Sequence, residues 1–195
     1  QFQATPALHL FAEVARVAAP SASFKAMTIS LGAGFTLDSP GAADALPPAL
    51  SALQWRLSSS LQRYGSAARN AAPSPRPLEQ YVFRAECLLS DQVYVTGQSG
   101  WATGGHAGAW ATGLLGLGAQ TPAFQGHRLR VELAAGAGGG GGVDSRGGAL
   151  VQCLGGWLWD FSPSWSVHVM GGRIRAPQGA LSSSVLELGL GFRAT

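Results

Sequence analysis

At 195 residues the chain has room for one sizeable domain, and no composition break divides it, so residues 1–195 read as a single unit. Charged residues make up 12%, about half of the ~25% usual for soluble domains, while glycine is abundant at 28 residues. The net charge of +3 comes from Lys25 and scattered arginines without the basic, aromatic-laced stripe of a nucleic-acid surface, and no apolar run reaches the ~18–20 residues of a helical membrane span.

The chain opens Gln1-Phe2-Gln3 without a methionine, which reads as a mature sequence after removal of a signal peptide. From there the informative signal is a repeat of two. Residues 7–17 set Leu8, Leu10, Ala12 and Val14 against His9 and Glu13. Residues 24–37 set Met27, Ile29, Leu31, Phe35 and Leu37 against small and hydroxylic residues. A proline- and glycine-containing break, 38–48, follows.

Residues 50–63 have helix-compatible propensities, but Leu53, Trp55, Leu57 and Leu61 alternate with Gln54, Arg56, Ser58, Ser60 and Gln62, which decides for a strand. After the proline-rich 65–77, segment 78–89 opposes Tyr81, Phe83, Ala85 and Cys87 to Gln80, Arg84 and Glu86. A turn at Ser90-Asp91 leads into 92–103, and Gly104-Gly105 separates that from 107–119. Segment 127–137 opposes Leu129, Val131 and Leu133 to Arg128, Arg130 and Glu132.

The low-complexity glycine run 138–142 reads as a loop tip, and 148–160 follows it with Val151, Trp157 and Trp159 against Gln152. Segment 164–175 begins with Trp165, Val167 and Val169 opposing Ser166 and His168, then inverts its parity. A β-bulge at Gly171-Gly172 would return Arg173 and Arg175 to the polar face; otherwise both lie past the hydrocarbon edge. The last segment, 183–193, sets Leu186, Leu188, Leu190 and Phe192 against Glu187, Gly189, Gly191 and Arg193.

Ten segments of this kind, many of 10–13 residues, are longer than globular strands and match the ~9–11 residues a tilted strand needs to cross a bilayer. One face is apolar. The other carries charges of both signs among Gly, Ser, Thr and Gln, which suits a confined lumen better than the Lys/Glu-rich exterior of a soluble sandwich. Arg16, Lys25, Arg63 and Glu79 break the rule at strand ends, where long side chains reach headgroups. In lipid a sheet must close to pair its edges. The pattern therefore predicts an all-β, closed, antiparallel up-and-down transmembrane β-barrel of about ten strands, with eight or twelve left open. An even count puts both termini at the periplasmic end, together with the short turns and, awkwardly, with 38–48.

The stretch 185–192, VLELGLGF, resembles the final strand of bacterial outer-membrane barrels, although the chain continues Arg193-Ala194-Thr195 beyond the aromatic residue. More broadly the chain resembles small outer-membrane β-barrel proteins in pattern, without invariant motifs. The resemblance implies a Gram-negative outer membrane as location and lipid as surroundings. It also implies the barrel-assembly machinery as a partner during biogenesis.

Catalytic chemistry finds no footing. There is no GxSxG or GDS-type block around the serines, and the glycine run lacks the GK[ST] of a phosphate loop. His106 and His127 fall at strand ends, and His168 is placed to meet Glu187 across the last hairpin as a structural contact. Cys87 and Cys153 have neither metal-ligand spacing nor adjacent strands, so no cofactor, metal or disulfide is expected. Trp101, Trp159 and Trp165 sit near strand ends as an interfacial girdle.

Glu13, Arg56, Arg84, Glu86, Arg128, Arg130, Glu132 and Glu187 would meet in the lumen as a mixed-sign network, with Arg173 joining only if the bulge exists. The expected role is a structural or scaffold barrel, not an enzyme, serving as one subunit of a larger envelope assembly with other envelope proteins as partners and no nucleic acid. The alternatives are a porin-like narrow channel for small or anionic solutes, and a secreted soluble β-sandwich or fibre subunit.

Overall fold

The computed structural model describes residues 2–3, 8–18, 25–35, 54–70 and 74–194, and divides the chain into two units, 1–53 and 54–195. In the first unit, β1 (Phe2–Gln3), β2 (Leu8–Ala18) and β3 (Lys25–Phe35) form an antiparallel sheet in the order β1-β2-β3. The β2–β3 hairpin is in register from Leu8↔Phe35 to Ala18↔Lys25.

The second unit is the barrel. Its strands are β4 (Gln54–Ala67), β5 (Arg76–Leu88), β6 (Val93–Gly104), β7 (Ala111–Gln120), β8 (His127–Gly139), β9 (Ala149–Asp160), β10 (Trp165–Arg175) and β11 (Ser182–Ala194). Each pairs antiparallel with its sequence neighbour, and β11 returns to pair with β4 from Val185↔Tyr64 to Ala194↔Trp55. The closed barrel thus has eight strands, the lower end of the expected range. The two segments that made ten, 7–17 and 24–37, are strands, but they pair with each other. Both edges of the 54–194 sheet are used by the β4–β11 seam, so the ladder has no place for further strands. The awkward segment 38–48 precedes the first barrel strand and lies outside the described residues.

An even strand count puts Gln54 and Ala194 at one end of the barrel, the turn end, with the short connections at 89–92, 121–126 and 161–164. The opposite, loop end carries 68–70 and 74–75 of the β4–β5 connection, and the connections 105–110, 140–148 and 176–181. These four are tied together. The Arg69 guanidinium donates to the carbonyls of Gly105 (2.8 Å) and Gly141 (3.2 Å). Asp144 N donates to Ala68 O (2.9 Å), and Leu181 N to Asp144 O (2.9 Å). The close approach demands the glycine run: Gly140, Gly141 and Gly142 all have positive φ, and a Cβ on Gly140 would run into the Ala109 carbonyl.

Candidate functional site

With side chains alternating along most of each of the eight strands, every second one points into a space just wide enough for side chains to fill. The interior is therefore the candidate site, and its character changes along the axis. Nearest the turn end, Glu86 bridges two arginines: Arg56 Nη1 donates to it at 3.1 Å and Arg130 Nη2 at 2.8 Å. Asp160 gathers three more contacts there, from Arg128 (3.3 Å), Arg193 (3.0 Å) and Arg56 (3.7 Å). The Arg130 guanidinium also lies 4.3 Å over the Tyr94 ring.

Next along the axis comes Arg84, fully buried, which binds Glu132 with one nitrogen and both oxygens of Glu187 with the other (2.9 Å each). Glu187 also accepts from Ser60 (3.0 Å) and Gln62 (2.7 Å), and its Oε1 lies 3.1 Å from His168 Nε2. Gly189 leaves room for that ring, since a Cβ there would collide with it. The buried arginines Arg56, Arg84 and Arg130 and the buried glutamates Glu86, Glu132 and Glu187 balance in charge. Such balance is what allows charges to persist away from water.

A band of glutamines separates this network from the loop end. Gln80 Nε2 donates to Gln62 Oε1 (2.7 Å) and Gln98 Nε2 to Gln152 Oε1 (2.8 Å), while Trp110 Nε1 donates to Gln80 Oε1 (3.2 Å). Beyond it the interior is apolar. Tyr64, Leu78, Trp110, Leu114, Val143, Leu150, Met170, Ile174 and Val185 form one buried cluster beneath the tied loops.

The outer face is apolar. Leu57, Leu61, Phe83, Val95, Leu115, Leu117, Leu129, Val131, Leu133, Val169, Leu188 and Leu190 are all exposed on it. At the turn end an aromatic belt surrounds part of the rim: Trp157 and Trp159 stack with His127 (5.3 and 5.7 Å), Phe161 meets Trp159 (5.8 Å), and Trp165 meets Phe192 (5.2 Å). Trp101, also exposed, pairs with Tyr81 at 4.9 Å. An apolar outside around an interior that is ionic toward its turn end is the reverse of a water-soluble protein.

No protein-family model and no curated protein matches the sequence. Among solved structures, the Neisserial surface protein A superposes with a TM-score of 0.51 at 11% identity, covering 72% of this chain and 96% of that one. Ail, the attachment invasion locus protein of Yersinia pestis, gives 0.50 at 11% identity, covering 73% and 98%. The fold is that of small bacterial outer-membrane β-barrels. The covered share is about the size of the 54–195 unit.

Within this outer-membrane barrel fold, six of the eight expected network residues come together: Arg56, Arg84, Glu86, Arg130, Glu132 and Glu187 are buried and joined in the lumen. Arg128 sits half-buried at the turn end on Asp160. Glu13 does not belong. It lies on β2, in the sheet outside the barrel ladder, with its side chain exposed.

Arg173 does not join the network either. The β10 register runs unbroken against β9 and β11, so there is no bulge at Gly171-Gly172, and Arg173 and Arg175 point outward. The inverted parity of 164–175 has a plain cause: the lumen turns apolar toward the loop end, where Met170 and Ile174 are buried.

Asp160, Gln98 and Tyr94 were not singled out from sequence. The strand parity of Gln98 was available as a signal, whereas Asp160 stands at a strand end where parity gives no answer. Cys87 and Cys153 are free thiols on β5 and β9, which are not neighbours.

Proposed function

We propose that the chain is an integral outer-membrane protein with a structural or scaffold role in a larger envelope assembly, and that its barrel does not conduct. The observation that carries this reading is the filled interior. A desolvated ion network, a glutamine band and an apolar plug lie in series between the turn end and the tied loops. A solute would have to break all three. The scaffold role is further supported by the β1-β2-β3 sheet of the first unit, which among the described residues has no strand pairing with the barrel. The outer-membrane location is supported by the fold, the apolar outer band and the closing strand β11, which carries Leu186, Leu188, Leu190 and Phe192 outward. In this reading the barrel-assembly machinery inserts the chain through that strand, and no catalytic step is assigned to it.

Planar-bilayer recording of the folded protein, checked for heat-dependent mobility on SDS gels, tests the proposal. The expected result is a clear gel shift with no steady single-channel current. Large, stable currents would instead establish the narrow-channel reading, and a protein soluble without detergent would return the β-sandwich.

A further inference from the structure

The lipid-facing wall is not uniform. On β10, β11, β4 and β5, which are consecutive around the barrel, the outward positions toward the loop end carry Arg173, Arg175, Arg63 and Glu79, with Ser184 and Ser182 directly opposite the first two. Arg63 and Glu79 pair at 3.4 Å and are more than half exposed. Arg173 and Arg175 have no carboxylate partner among the described residues. On β7, β8 and β9 the corresponding outward positions are Ala111, Ala137, Ala149 and Val151, without a charge. Among the described strand positions, the outward arginines toward the loop end therefore lie on this wall.

The same wall has a second feature. Nearer its middle, Ser59, Leu61, Tyr81, Val167, Leu188 and Leu190 line an open groove of about 320 Å³. Its floor is small because Ser59 stands where the neighbouring strands carry Phe83 and Leu190, and the Tyr81 hydroxyl donates to Ser59 Oγ at 2.6 Å. Arg63 is two residues above Leu61 on the same face, roughly 7 Å along the strand.

We infer that this four-strand wall is a binding site for a phosphate-bearing lipid, with an acyl chain in the Ser59 groove and its phosphate on Arg173, Arg175 and Arg63. Outward arginines at a membrane edge, two of which (Arg173 and Arg175) have no carboxylate partner among the described residues, repel one another and attract anionic headgroups. The guanidinium fork matches phosphate oxygens two at a time, and the facing serines add hydroxyl donors. The apolar groove, which begins at Leu61 two residues from Arg63 on the same face, gives the attached chain a place that a free anion would not need.

The site rests on the membrane reading above, and native mass spectrometry of the detergent-solubilised, folded full chain tests it. The probes are bisphosphorylated lipid A, its phosphate-free form, and inorganic phosphate. The wild type should retain one lipid A, and R173Q/R175Q about tenfold less. The phosphate-free form should bind the wild type no better than lipid A binds that variant. S59F, which fills the groove floor, should lower lipid A retention with the arginines intact. Equal retention by wild type and R173Q/R175Q overturns the site. So does displacement of lipid A by inorganic phosphate at equal concentration, which would make it a free-anion site. Gel shifts on the same samples separate the two ideas: no shift in the wild type sinks the membrane reading, whereas a shift with equal retention sinks only the lipid site.

Discussion

Arg84 holds two carboxylates at once, Glu132 on one nitrogen and Glu187 on the other, at a position that water does not reach. Removing the cation leaves both carboxylates desolvated, and a broken buried pair costs about 3–5 kcal/mol. Arg84→Gln should therefore unfold at distinctly lower urea in lipid vesicles, and R84Q/E187Q should recover part of the loss by removing one orphaned charge. A wild-type midpoint for R84Q would mean that water fills the lumen. At this scale much of the site was legible. Strand parity alone places Arg56, Arg84, Glu86, Arg130, Glu132 and Glu187 on one face, and a closed sheet turns one face into one interior. It also brings His168 to Glu187, because consecutive strands of a hairpin must be neighbours. Parity could not exclude Glu13, which obeys the same alternation on a strand that the barrel does not use.

For whole strands, the lesson comes from β10. Its two halves have opposite polarity on the same face, since the interior is ionic near the turn end and apolar beneath the loops. Alternation assumes a face of constant character, so the sequence made β10 look broken when its register is continuous. The same view predicts how the outer face tolerates charge. Leu133 lies outward near the middle of β8, so Leu133→Arg should cost about 2–4 kcal/mol in vesicle refolding, while Arg173→Leu at the loop end should change stability by about 1 kcal/mol or less. Equal costs at the two positions would place the hydrocarbon band elsewhere on the barrel.

At the scale of the molecule, the seam between β4 and β11 decides what the barrel contains. Because it closes without residues 1–53, a chain beginning at Gln54 should still fold into vesicles and show the full chain's heat-dependent gel shift. A shortened chain that stays unfolded would show that the β1-β2-β3 sheet is needed for assembly.

What the sequence by itself determined is local and periodic: the strand segments, ten of them, their two-faced character, the ionic content of one face and the need to close in lipid. These follow from a repeat of two and from the cost of unpaired backbone groups in hydrocarbon, and both are written residue by residue. Only the tertiary structure decided which strands close the ring, where the lumen turns from charge to oil, and that the arginines of β10 gather on one outer wall. Each of those depends on pairings between residues far apart in the chain. A period of two tells each strand which way its side chains point, but not which strand lies beside it.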